Sequence, residues 1–215
     1  MAKKYKKETD EKIISKKEIK YQDKILKIVI IFCVIAILTI ALIIFISKIP
    51  KKFEYKGVEF KEVNFCDSGP SSCLRTYQTK VPVTLDGKKA NYSFYLHKNP
   101  EETLEKVAFE GGVNLREELV MDIRFNRFCE GFEQIAVANL LNLYTISVKN
   151  ITGNEKECNL SAEKMYIRVQ EADTTYIEKT GPACYHININ GCEILEGTER
   201  FMIETFVEIN KTLEK

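Results

Sequence analysis

Histidine is scarce in this chain, which carries only His97 and His186, and no two of its cysteines stand in C-x-x-C spacing. A zinc site built from closely spaced Cys and His is therefore not encoded. Charge of one sign is missing too: 32 Lys+Arg against 31 Asp+Glu leave a formal +1, and no basic-aromatic motif occurs. That balance removes nucleic acid from the partners. Asp67, Asp86 and Asp122 do not fall into a calcium-loop pattern, and Gly111-Gly112 lacks the strand, glycine turn and helix order of a phosphate loop. There is no internal repeat and no low-complexity linker.

What the chain does have is IVIIFCVIAILTIALIIFIS at positions 28 to 47, twenty residues without a charge between Lys27 and Lys48. At about 1.5 Å per residue a helix of that length covers the roughly 30 Å of a bilayer's hydrocarbon core. Only Cys33, Thr39 and Ser47 interrupt it, so it lacks the polar face of a buried soluble helix. A cleaved signal peptide fits less well, because the apolar core is too long and FISKIP offers no pair of small residues for cleavage. The expected organisation is a lysine-rich, unfolded cytoplasmic tail over 1-24, a transmembrane signal anchor over 25-48, and one domain over 53-215. The span holds no ionisable carboxylate, lysine, arginine or histidine for transport, and Ala36 and Ala41 do not make a small-xxx-small dimer face. Its role is anchorage in the lipid bilayer.

Lysines flank the span about equally, with Lys16, Lys17, Lys20, Lys24 and Lys27 before it and Lys48, Lys51, Lys52, Lys56 and Lys61 after it. The distal Lys3, Lys4, Lys6, Lys7 and Lys12 tip the tail towards the cytoplasm. Cysteine usage gives an independent reason for the same orientation. Apart from Cys33 in the span, six remain: Cys66, Cys73, Cys129, Cys158, Cys184 and Cys192. Six suggest three disulfides, which persist in an oxidising, extracytoplasmic compartment. Sequence proximity favours Cys66 with Cys73 across the turn-rich CDSGPSSC, worth roughly 2.5 kcal/mol of loop entropy, then Cys129 with Cys158 and Cys184 with Cys192. Four Asn-x-Ser/Thr triplets, at Asn91, Asn150, Asn159 and Asn210, all follow the span and are glycosylation candidates.

The domain reads as α+β, with mainly antiparallel strands and about three helices. FEYKGVEFKEV alternates around Lys56-Gly57 as a hairpin, and VPVTL, Asp86-Gly87 and NYSFYL make a second. Asn99-Pro100-Glu101-Glu102 starts a helix expected to reach Gly111-Gly112. ELVMDIRF is a strand, Phe132, Ile135, Ala136, Leu140 and Leu143 share a helical stripe, and TISVKNI reads as a strand after it. GNEKECNLS is a loop, followed by strands at MYIRVQ, TTYIEKT and CYHINI. The chain closes on TERFMIETFVEINKTL as an amphipathic helix using Met202, Phe206, Ile209 and Leu213.

The lysine-rich tail, the single span, FEYKGVEFKEV, YSFYLHKNPEETLEKV, CEGFEQIAVANLLNLYTISV and GCEILEGTERF together resemble small, uncharacterised membrane proteins of archaea, especially of reduced-genome lineages. The resemblance implies the same anchored architecture and carries no activity or catalytic residue. The residues themselves define no catalytic, cofactor or metal site. His97 reads as a solvated strand end, and His186 shares a strand face with Cys184 and Asn188. The favoured function is a membrane-anchored, extracytoplasmic binding or assembly module that engages an envelope or cell-surface protein, with no small-molecule ligand inferred. The alternatives are a membrane-tethered enzyme with an unrecognised active site and an accessory subunit of a membrane complex. A pocket gathering His97 or His186 with acids would favour the enzyme; an apolar patch or open sheet edge would favour binding.

Overall fold

The uncharged run after Lys27 forms the expected helix as far as Phe45. In the computed structural model, which describes residues 24, 26-45, 51-66, 73-85, 88-147, 150-152, 158 and 163-213, helix α1 covers Leu26–Phe45 with a mean hydropathy of 3.5. Thr39 Oγ1 donates to Ala36 O at 2.8 Å, so the hydroxyl is bonded within its own helix, as an apolar solvent requires. The tail over residues 1-23 lies outside the described residues. The chain divides into two units, Met1–Pro50 and Lys51–Lys215.

In the second unit, β1 (Lys52–Tyr55), β2 (Val58–Cys66), β3 (Cys73–Leu85) and β4 (Lys88–Leu96) form an antiparallel sheet in chain order. Lys56 (φ 48) and Gly57 (φ 83) both have positive φ, the pair of left-handed residues that a two-residue hairpin turn matching strand twist demands. Asp86-Gly87, the second expected turn, lies outside the described residues. The strand β3 begins eight residues before VPVTL, because CLRTYQ pairs with β2.

Helix α2 (Pro100–Lys106) starts as expected, with Asn99 Oδ1 accepting the Glu101 N–H at 3.2 Å. It stops well short of Gly111-Gly112. Ala108–Phe109 instead forms β5 against Tyr176 and Ile177, and Arg200 Nε donates to Val107 O at 3.1 Å. Pairing and side-chain capture there outweigh local helix propensity. Strand β6 (Glu118–Ile123) and helix α3 (Phe132–Ser147) follow. The expected strand TISVKNI is half wrong: Thr145, Ile146 and Ser147 stay helical, and only Asn150–Thr152 forms a strand, β7. The preceding Leu143 and Tyr144 are buried, Tyr144 shares a 3.0 Å hydrogen bond with Thr205, and Thr145 bonds back to Leu141 O at 2.8 Å. These contacts hold the β-branched segment in the helix.

Strands β8 (Met165–Glu171), β9 (Tyr176–Gly181) and β10 (Cys184–Ile189) complete a mixed sheet of order β5-β9-β10-β8-β6-β7. The architecture is α+β, as the sequence suggests. The last helix, α4 (Ile194–Leu213), differs from the amphipathic reading. It is buried nearly all round, Thr198, Glu199, Arg200, Glu204 and Thr205 included, because both sheets and α3 pack against it. Phe206 meets Phe60 and Phe94 of the first sheet, while Phe201 meets Tyr185 of the second. At Gly197 the helix lies so close to β10 that any Cβ would collide with Ile189.

Three cysteine pairs sit at disulfide distance, but two of the expected pairings are wrong. Cys66 joins Cys73 across the β2–β3 connection, with Cα atoms 4.0 Å apart. Cys129 joins Cys192, and Cys158 joins Cys184, with Cα separations of 5.5 and 6.0 Å. Topology explains the exchange. Strands β6, β8 and β10 are parallel, so the chain leaves β6 and β10 at one sheet end and enters β8 and β10 at the other. Cys129 and Cys192 follow β6 and β10, whereas Cys158 precedes β8 and Cys184 opens β10. At about 3.3 Å per residue, β10 alone puts roughly 17 Å between Cys184 at its start and the turn that carries Cys192.

Candidate binding groove

The β1–β2 hairpin leaves the first sheet halfway along. Strands β2 and β3 pair from Cys66↔Cys73 to Lys61↔Gln78, and there the ladder ends. Below it, Val58 to Glu59 and Phe60 pair only with β1, while Thr79 to Leu85 pair only with β4. Two strand edges thus face each other without meeting.

Antiparallel alternation identifies what each edge presents. Tyr55 and Val58 flank the two-residue turn and exchange both hydrogen bonds, so Val58 and Phe60 point their backbone groups at β1. Glu62 does likewise, donating its N–H to Lys51 O at 3.0 Å. Glu59 and Lys61 therefore point away from β1, towards β3. Lys61 opposite Gln78 then places Gln78, Lys80 and Pro82 on the β2 side of β3, and Thr79, Val81 and Val83 on the β4 side. Below the last pair, the Glu59 and Lys80 N–H and C=O groups and the Pro82 C=O open into the gap. Proline sits where its missing N–H removes no bond to β4. That residue is the one sequence signal of an open edge inside VPVTL.

Helix α4 keeps the hairpin in this splayed position. The Tyr55 hydroxyl donates to Glu204 Oε1 at 2.8 Å, Lys56 Nζ lies 3.3 Å from Glu204 Oε2, and Asn210 Nδ2 donates to Gly57 O at 3.3 Å. Arg200 Nη1 holds the same carboxylate at 2.9 Å and its guanidinium stacks over Phe109. Burial pushes the Glu204 carboxyl up, but the Tyr55 and Arg200 hydrogen bonds and the two nearby cations outweigh it, leaving it below the ordinary carboxylate range. Lys56 is raised, chiefly by its bond with Tyr55 and despite partial burial. The ionic clamp fixes the turn to the helix rather than to β3.

The resulting groove holds about 440 Å³, within the usual size of ligand sites. Val58, Val81 and Phe206 supply an apolar floor, and Lys61, Lys80 and the Lys52–Glu59 pair (3.0 Å) supply the rim. Lys61 and Lys80 are exposed and have no ion-pair partner among the described residues, so the rim is net cationic. Such a site binds by shape, backbone pairing and charge. Among the described residues that line it, no nucleophile and base lie in hydrogen-bond reach.

The two histidines lie elsewhere. Glu199, fully buried, accepts the N–H groups of His97 (2.7 Å) and Lys98 (2.8 Å), and His97 Nδ1 lies 3.3 Å from the same carboxylate. Burial raises the Glu199 carboxyl above its ordinary value even against these three contacts. The arrangement clasps the end of β4 to α4, and His97 is a partly buried anchor rather than a solvated strand end. His186 does share its face with Cys184 and Asn188, between Glu178 on β9 and Arg168 on β8. Burial, then Arg168, holds its imidazole below the usual range. Beside it Asp122 accepts from Tyr166 (2.8 Å), Arg168 (3.0 Å) and Arg124 (2.8 Å), which lower its carboxyl despite burial. Neither histidine lines the groove or a second cavity of about 380 Å³ between β1–β3 and the start of α2.

Among the described residues no cluster of three or more His, Cys, Asp or Glu is arranged for a metal. The sequons fall on different elements. Asn91 is exposed on β4 and Asn150 opens β7, whereas Asn159 lies outside the described residues. Asn210 is on α4 with its amide nitrogen engaged at Gly57 O. No protein-family model, curated protein or solved structure matches the chain.

Proposed function

We propose that this protein is a membrane-anchored binding module, with a cytoplasmic lysine-rich tail and a disulfide-braced domain outside the cytoplasm that engages an envelope or cell-surface protein. The observation that carries the reading is the open groove between β2 and β3, a pinned, net cationic slot with unpaired strand edges. Anchorage by α1 confines the domain to the membrane, which raises the local concentration of partners in the same envelope. The three cysteine pairs and the sequon at exposed Asn91 support the extracytoplasmic placement. Purification of the full chain in mild detergent after cross-linking in cells tests it. A stoichiometric envelope protein attached to the Lys51–Lys215 unit is the expected result, and a lone monomer across detergents and cross-linker lengths would contradict it.

A further inference from the structure

We infer that the groove takes an extended peptide segment with alternating acidic and apolar side chains, inserted as an extra strand between β2 and β3. The inference rests on the binding role proposed above and names the ligand class for it. Three features converge. The facing backbone groups of Glu59, Lys80 and Pro82 are unpaired among the described residues and match the donors and acceptors of an extended chain. A strand's side chains alternate between faces, and the two faces here differ: Lys61 and Lys80 project on the outer one, where Glu59 is already neutralised by Lys52, while Val58, Val81 and Phe206 close the inner one. Because β2 and β3 are antiparallel, the inserted segment would run antiparallel to one wall and parallel to the other. Acids at every second position would then meet the unpaired lysines, and the intervening residues would meet Phe206. A lipid phosphate would satisfy the lysines but leave the two backbone edges unmatched, so the peptide fits more of the site.

The test uses the full chain in zwitterionic phosphatidylcholine nanodiscs with a synthetic Ac-EVEVEV-NH2 probe, read by residue-resolved hydrogen exchange. Saturating probe is expected to slow the Glu59 and Lys80 amides at least tenfold, leaving Phe60 and Thr79, already paired to β1 and β4, unchanged. Ac-KVKVKV-NH2 should have no such effect, and K61E/K80E should reverse the preference between the two probes. No slowing by the acidic probe, or equal slowing by both on the wild-type chain, overturns the inference without need of the variant. Slowing by phosphatidylglycerol in the nanodisc, without probe, would overturn it in favour of a lipid headgroup. A captured envelope protein that leaves both amides fast would sink the groove as the docking site while the display role survived. The exchange readout thus separates the two failures.

Discussion

Removing the Cys129–Cys192 bridge should destabilise the domain far more than removing Cys66–Cys73. The first closes a sequence separation of 63 and the second one of 7. In the loop-entropy description the difference in closed length makes the long bridge worth about 4.3 kcal/mol and the short one about 2.5 kcal/mol. The long bridge also ties the exit of β6 to the exit of β10, across the middle of the mixed sheet, whereas the short one closes a connection between strands already paired. Against a typical domain stability of about 5–15 kcal/mol, C129A/C192A removes a large share. Urea unfolding of the full chain in nanodiscs, followed by far-UV circular dichroism, should show a midpoint about 2 M lower for C129A/C192A, given an m-value near 2 kcal/mol/M. The shift for C66A/C73A should be roughly half that. Equal shifts, or a larger one for the short bridge, would refute the topological reasoning, as would peptide mapping that recovers Cys129 bound to Cys158.

Three further outcomes follow from the groove and the core. E204Q should cost about 3 kcal/mol, since it removes the carboxylate that three partners share in a buried setting. Because the folded pKa of Glu204 is depressed, its contribution is complete above the ordinary value of 4.5 and disappears as pH falls through the folded value. The gap between wild type and E204Q should therefore stay constant from pH 7 to pH 5 and close below, in urea titrations at each pH. N210A should lose about 1 kcal/mol with its bond to Gly57 O, and glycopeptide mass spectrometry after secretory expression should find Asn91 modified and Asn210 bare. G197A should cost about 1 kcal/mol or more in the same unfolding assay, because the buried Ile189 and Ile187 side chains must shift to admit the methyl group and the strain exceeds the gain in helix propensity.

Local chemistry made much of the fold readable. The Lys56-Gly57 turn, the Asn99-Pro100 helix start and the alternation in CYHINI each act within a few residues, and each is found where the sequence places it. The misreadings concern partners distant in the chain. Glu199, Arg200 and Glu204 look like the wet face of a final helix until Tyr55, Lys56, His97 and Val107 are brought to them from some 90 to 150 positions away. Cysteine pairing failed for the same reason, because sequence proximity ignores the parallel order of β6, β8 and β10. The groove is a mismatch of registers rather than a motif. Hydrophobic alternation predicts β2 and β3 but not the end of their ladder at Lys61↔Gln78, and Pro82 alone hinted at it.

The proposed role depends most on the side of the membrane that the domain occupies. Intact cells treated with a membrane-impermeant maleimide, before and after a membrane-impermeant phosphine reductant, read that side through the cysteines themselves. Mass spectrometry should find the six domain cysteines unlabelled at first and the exposed pair Cys66 and Cys73 labelled once reduced from outside, with Cys33 untouched in both cases. Six sulfurs that react only after lysis, and without reductant, would place the domain in the cytoplasm and contradict the account.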